Sequence, residues 1–144
     1  MHVPYKGSGA SVQDLISGQI PVVVSTLSAA LPYYRQGRVR TLAVMKGQRS
    51  TGAPDIPTTE EAGVPGVIAY TYNILVPPAG TPRDVVSYLS GTMNTVMADH
   101  TLVDALVTLG VDPVTDSNPE KAAAMIQTEL AKWAPLIKSL GLRQ

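Results

Sequence analysis

Residues 2–45, HVPYKGSGASVQDLISGQIPVVVSTLSAALPYYRQGRVRTLAVM, decide the fold of this chain, because apolar extended patterns alternate in them with helical ones. The β-branched run IPVVV is typical of a strand buried on both faces. The predicted strands are 2–5, 20–24 and 39–45, and the predicted helices are 10–17 and 28–36. This order predicts parallel βαβ units and therefore an α/β fold.

A loop and an extended stretch follow these units. Residues 46–58 are rich in Gly, Pro and Ser, and Thr58 with Glu61 forms a capping box that predicts a short helix. Residues 67–77 then read as one long strand. The composition changes near residue 65, which predicts two structural parts, 1–66 and 67–144.

The remainder of the chain is mostly helical in its apolar spacing. Three helices are expected, and their predicted capping residues are Thr81, Thr101 and Asn118. Pro82 suits the first helical position after Thr81. Two apolar stripes are predicted, one of Val85, Leu89, Met93, Val96 and Met97, and one of Ile126, Leu130, Trp133 and Ile137.

Composition excludes several classes of protein. Lys plus Arg and Asp plus Glu number 11 each, so no basic excess exists to hold a nucleic-acid backbone. Cysteine is absent, which excludes disulfides and thiolate metal sites. No run approaches the length of about 18 apolar residues that a membrane helix needs.

Signals for catalysis are few, and we expect a protein that is not an enzyme. His2 and His100 are the two histidines and lack metal-ligand spacing, so no metal and no cofactor is expected. Ser8 has no GxSxG surroundings. A small α/β enzyme with Ser8 as nucleophile nevertheless stays open as an alternative, and loss of activity in Ser8→Ala would be its test.

The segment KGSGAS at 6–11 has the residues of an anion-binding turn. Its glycines leave the backbone N–H groups accessible, and a helix N-terminus carries partial positive charge. It is neither a P-loop nor a GxGxxG motif, because Lys6 precedes the glycines and Val12 occupies the last position. An ordinary βα turn with a serine cap explains the same residues, and spacing alone favours that reading.

A second strand-to-helix junction, VVVSTLSAA, repeats this arrangement with Ser25, Thr26 and Ser28. Ligands of open α/β sheets gather at the carboxyl ends of the strands. If the βα units are parallel, residues 6–11 and 25–29 lie along one sheet edge, and two separate patterns indicate one site.

Five segments in order resemble the extracytoplasmic solute-binding receptors of tripartite tricarboxylate transporters, the Bug or TctC family. They are HVPYKGSGASVQDLISGQI, ALPYYRQGRVRTLAV, DIPTTEEAGVPG, LVPPAGTP and LAKWAPLIKSLGL. The resemblance implies a two-lobed periplasmic-binding-protein (Venus-flytrap) fold that closes around di- or tricarboxylates or acidic amino acids. It also implies periplasmic localisation and membrane components of the transporter as partners.

The resemblance places parts of both lobes in this chain. Residues 1–66 would be part of the second lobe, and 67–144 the crossover strand and C-terminal helices of the first. The implied ligand contacts are Gly7, Ser8, Gly9, Ala10, Thr26 and Ser28. Pro21 departs from the family, which has an acidic residue there. The family's usual length and the absence of a signal peptide in MHVPYKG lead us to expect a part of a longer receptor.

Two further expectations complete the sequence-based interpretation. An incomplete α/β chain leaves strand edges and apolar helix faces uncovered, so we expect a homo-oligomer, formed by self-association or strand exchange. A ligand-sensing effector module of a regulator is an alternative to the receptor, but the chain has no helix-turn-helix pattern or basic surface.

Overall fold

A computed structural model describes residues 2–141, and five helices are present in this range. They are α1 (Ser8–Ile16), α2 (Leu27–Arg35), α3 (Arg83–Met97), α4 (His100–Thr108) and α5 (Pro119–Ser139). Helices are present at all five of these predicted positions, and the bounds predicted for the first two, 10–17 and 28–36, differ from the observed ones by one or two residues. Local signals explain this agreement, because helical periodicity and capping act within a few residues of the chain.

The α/β class is not confirmed, because the described residues form no strand ladder. The predicted strand regions are irregular or form bends, and one parallel bridge joins Val44 to Thr58. The Val44 N–H donates to the Pro57 carbonyl at 2.8 Å, and the Thr59 N–H donates to the Val44 carbonyl at 3.0 Å. The Ala69 N–H also donates to the Met45 carbonyl at 2.9 Å, but these bonds do not extend into a ladder within the described residues.

The contacts between residues divide the chain into two units, and each unit is made of two segments that are separate in sequence. Unit 1 contains the described residues up to Tyr72 together with His100–Pro113. Unit 2 contains Asn73–Asp99 and the described residues from Val114 onwards. Helix α4 therefore belongs with α1 and α2, and α3 with α5. The assignment of residues 1–66 and 67–144 to two lobes stays a prediction.

Unit 1 holds every buried side chain of the described residues. Leu31 of α2 packs with Val44, Ala53 and Ile56, and Val12 of α1 is also buried. Leu31 and Ile56 each expose 1% of their surface. Full burial of such side chains contributes roughly 1.5–3 kcal/mol each, which makes this cluster the main support of unit 1.

Helix α4 lies close to the rest of unit 1 at two glycines. A Cβ on Gly52 would lie 2.1 Å from the Val107 carbonyl oxygen, and a Cβ on Gly110 would lie 2.9 Å from Cδ2 of Leu31. Arg35 also joins α4 to this loop, since its guanidinium donates to the Thr108 carbonyl at 2.9 Å and to the Gly52 carbonyl at 3.0 Å. The backbone can approach this closely only because both positions lack a side chain.

Asp112 joins the loop after Val44 to the chain after α4. Its carboxylate accepts from Lys46 Nζ at 2.6 Å, Ser50 Oγ at 3.0 Å and the Thr51 N–H at 2.9 Å. The Thr51 hydroxyl adds a bond at 2.7 Å. Burial raises the pKa of Asp112, but the hydrogen bonds from Lys46 and Thr51 outweigh it and hold this pKa below the usual value.

Unit 2 has no buried residue among those described. Helix α5 has the predicted N-cap, because the Asn118 side chain accepts from the Lys121 N–H at 2.8 Å, but α3 does not. Pro82, not Thr81, is the N-cap of α3. The Thr81 hydroxyl donates to the Pro78 carbonyl at 2.8 Å, so the preceding turn uses the group expected to cap the helix.

The capping box at Thr58 and Glu61 is present, but it closes a turn instead of a helix. The Glu61 N–H donates to Thr58 Oγ1 at 3.2 Å, and the Thr58 N–H donates to Glu61 Oε2 at 2.7 Å. The Ala62 N–H donates to the Thr58 carbonyl at 3.0 Å, and Gly63 with φ 87° then ends this single turn.

Candidate functional site

The N-terminus of α1 has no side-chain cap. Gly7 is its N-cap residue and makes no capping hydrogen bond, and the first turn contains no acidic residue. Ser11, which sequence offered as a hydroxyl for an anion, donates instead to the Ser8 carbonyl at 2.9 Å. Ser8 is half-buried, while Gly7, Gly9 and Ala10 are exposed. The first-turn N–H groups of this helix are therefore surrounded by backbone and small side chains.

The local fold does not require glycine at positions 7 and 9. A Cβ at either position would meet nothing within 4 Å, and the φ of 176° at Gly7 is extended backbone that any residue adopts. Glycine in a helix costs roughly 0.5–1 kcal/mol relative to alanine, so Gly9 carries a cost without a packing reason. One physical role remains for these two glycines, which is to leave the backbone N–H groups accessible to a ligand.

The N-terminus of α2 is similar. Thr26 is its N-cap and makes no side-chain capping bond, and the first turn again lacks an acidic residue. The hydroxyls of Ser28 and Thr26 lie 3.4 Å apart, Ser28 being exposed and Thr26 half-buried. The Ser25 Oγ is buried and has no hydrogen-bond partner among the described residues.

Ser25 was not among the ligand contacts expected from the sequence. It belongs to the same junction as Thr26 and Ser28, so the signal was the run of hydroxyl residues after a predicted buried strand. Its burial could not be read from that run, because burial depends on side chains distant in sequence. A buried hydroxyl without a partner loses a hydrogen bond that water would give it, which marks this junction as incomplete.

Helices α1 and α2 contact each other within unit 1. Gln13 Nε2 donates to the Tyr33 hydroxyl at 2.6 Å and links them. The Tyr5 hydroxyl donates to Asp14 at 2.7 Å, which ties the segment before α1 to the same helix. The structure thus brings the helices that follow the two predicted junctions into one unit. Whether the six expected contacts bind a ligand stays a prediction.

A shallow depression lies elsewhere in unit 1, near the C-terminal end of α2. Three polar residues of its lining are already engaged, since Arg35 binds two carbonyls and the Tyr34 hydroxyl donates to Asp55. That hydrogen bond lowers the pKa of Asp55 and raises the pKa of Tyr34. Because these three side chains are already hydrogen-bonded within the protein, they have little capacity left to bind a ligand.

Residues 2–141 contain no cluster of three side chains able to hold a metal ion. None of the helices in that range is both long and apolar enough to cross a membrane.

Comparisons with known proteins agree with the family resemblance in the sequence. The model of the tripartite tricarboxylate transporter family receptor matches residues 1–142. Protein BugT of Bordetella pertussis is 30% identical over 98% of this chain and 43% of its own length. The chain therefore spans less than half of this relative.

Two solved structures from Rhodopseudomonas palustris are similar in fold. Rpa4515 with adipate matches with TM-score 0.83 and 30% identity, over 96% of this chain and 46% of its own. MatC with bound malate matches with TM-score 0.80 and 28% identity, over 94% of this chain and 47% of its own. With the family model covering nearly every residue, the chain belongs to the tripartite tricarboxylate transporter receptor family.

Proposed function

We propose that this chain forms part of a receptor that binds small carboxylates for a tripartite tricarboxylate transporter. The observation that carries the proposal is the pair of uncapped helix N-termini in unit 1, at Gly7 and at Thr26, with the partnerless Ser25 hydroxyl beside the second. N-terminal N–H groups and hydroxyls are donors, and a carboxylate is an acceptor-only group that matches them.

The ligands of similar proteins support the substrate class. Adipate is named with Rpa4515 and malate with MatC, and both are dicarboxylates. Neither first turn contains an acidic residue that would repel such a ligand. The proposed contacts are the six expected from sequence together with Ser25, namely Gly7, Ser8, Gly9, Ala10, Ser25, Thr26 and Ser28.

The proposal includes the setting of the whole receptor. Family membership supports a periplasmic location, transporter membrane components as partners and a role in binding without turnover. Since the chain spans less than half the length of BugT and of Rpa4515, we propose that it supplies one part of the ligand cleft.

An NMR titration of the 144-residue chain tests the site. We expect malate and adipate to shift the amide resonances of residues 7–10 and 25–28, because these amides or their neighbours would bond the carboxylate oxygens. Adipamide, the neutral diamide of adipate, is the matched control ligand and should leave these resonances unmoved. Equal shifts with both, or shifts confined to other residues, would remove the two junctions from the site.

A further inference from the structure

The chain passes between unit 1 and unit 2 at three points. These crossings lie between Tyr72 and Asn73, between Asp99 and His100, and between Pro113 and Val114. At the first and third crossings the chain leaves unit 1, and we call the residues just before them, 69–72 and 111–113, the first and second exit segments. The ammonium group of Lys46, in the loop after Val44, interacts with both exit segments.

An ion pair holds the second exit segment. Lys46 Nζ lies 2.6 Å from Oδ2 of Asp112, and the two side chains are 27% and 20% exposed. Because this pair is partly shielded from solvent, water and salt weaken it less than a fully exposed pair. Asp112 precedes Pro113, and the proline ring restricts the backbone of both residues. The position of the Asp112 carboxylate therefore constrains the direction in which the chain leaves unit 1.

Aromatic contacts hold the first exit segment. Lys46 Nζ lies 6.0 Å from the centroid of the Tyr70 ring, which is within the range of a cation–π attraction. The rings of Tyr70 and Tyr72 are in a T-shaped arrangement, with their centroids 6.4 Å apart. The Ala69 N–H donates to the carbonyl of Met45, the residue before Lys46. Tyr72 is the last residue before the crossing, so these contacts reach the end of the segment.

One ammonium group can serve both segments, because it is a compact charge with several N–H donors. Arg49, the other cation of this loop, serves neither, since it donates to Glu61 and to the Pro54 carbonyl. We propose that Lys46 is a positioning residue that holds both exit segments and thereby restrains the movement of unit 2 relative to unit 1. None of the proposed ligand contacts takes part, so this inference does not rest on carboxylate binding.

Double electron–electron resonance measures this movement on the full chain without ligand. Cysteine is absent, so spin labels attach selectively at Ala105→Cys in α4 and Gln127→Cys in α5, which are exposed positions in different units. We expect Lys46→Met to broaden the distribution of distances between the labels, because methionine keeps a long apolar side chain and loses the charge. Lys46→Arg keeps the charge and should retain the wild-type width.

Arg49→Met is the matched control, since it removes a cation from the same loop whose partners lie outside both exit segments. It should leave the distance distribution unchanged, and circular dichroism of each variant verifies that the helices are retained. Equal widths in the wild type and Lys46→Met overturn the inference. Equal broadening in Lys46→Met and Arg49→Met overturns it too, because the effect would then follow from any loss of charge in the loop.

Tyr70→Leu tests the first exit segment separately. Tyr70 is 44% exposed, so the substitution does not disturb a buried core. It removes the ring that Lys46 approaches and keeps the ion pair with Asp112, so the distribution should be broader than in the wild type and narrower than in Lys46→Met. A wild-type width in Tyr70→Leu overturns the proposal that one residue holds both segments.

Discussion

Ser8 is the residue whose hydroxyl we expect to contact the ligand most directly. Ser8→Ala should weaken binding of malate by about 1 kcal/mol, the net value of one hydrogen bond. Calorimetric titration of both proteins measures the difference. Ser17→Ala is the matched control, because Ser17 follows the other end of α1 and its hydroxyl donates to the Asp14 carbonyl at 3.2 Å. Equal losses in the two variants would show a general effect on the helix.

A substitution at Gly9 tests the access of a ligand to the backbone without disturbing the fold. A Cβ at this position meets nothing within 4 Å, so Gly9→Leu should leave the melting temperature unchanged or slightly higher, since leucine favours helix. The same side chain should obstruct the first-turn amides and weaken malate binding by more than Ser8→Ala does. Thermal denaturation and calorimetry on one sample measure both effects. Unchanged affinity with unchanged stability would argue against a role of this turn in binding.

At the scale of elements, α4 approaches the loop at Gly52 so closely that no side chain fits there. Gly52→Ala places a Cβ 2.1 Å from the Val107 carbonyl oxygen, so the loop or α4 must shift. We expect a loss of about 1–3 kcal/mol in the free energy of unfolding, as for overpacking elsewhere. Gly47→Ala in the same loop meets nothing within 4 Å and is the control. Urea denaturation compares them, and equal stabilities would contradict this packing.

Asp112 links elements through charge, and its ion pair with Lys46 is the most shielded of those in the described part of the chain. The two side chains are 20% and 27% exposed, against 45% and 44% for Glu61 and Arg49. Because the pKa of Asp112 is lowered by folding, its stabilising effect is complete above the ordinary aspartate pKa. The effect is lost as pH falls through the lowered value.

Asp112→Asn should therefore reduce stability near neutral pH and flatten the decline in stability on acidification. Urea denaturation from pH 7 down to pH 2 measures this dependence. Glu61→Gln is the control, since it removes a more exposed carboxylate, although folding lowers the pKa of Glu61 too through Arg49 and Thr58. If the stability of Asp112→Asn declined on acidification as steeply as that of the wild type, the Asp112 carboxylate would not be a cause of the wild-type decline.

At the scale of the whole molecule, stability should differ between the two units. All buried side chains of the described residues belong to unit 1, and local opening is easiest where few apolar contacts must break. Amides of α3 and α5 should therefore exchange faster than those of α1 and α2. Hydrogen exchange followed by mass spectrometry measures this. Equal protection would show that unit 2 has support of its own.

The sequence by itself determined the five helices, the two hydroxyl- and glycine-containing junctions and the family. Helix periodicity and the Asn118 cap are local, so a short stretch of chain specifies them. The family motifs are equally readable, since they are strings of neighbouring residues. Even so, local signals failed where another local group competed, as at Thr81, whose hydroxyl bonds the preceding turn.

Only the tertiary structure decided which segments meet. It leaves the predicted strands without ladders in the described range, groups α4 with α1 and α2, and buries the Ser25 hydroxyl without a partner. It also brings Asp112 to Lys46, 66 residues away in the chain. Strand pairing, burial and ion pairing all depend on partners distant in sequence, and the periodicity of a single segment carries no information about them.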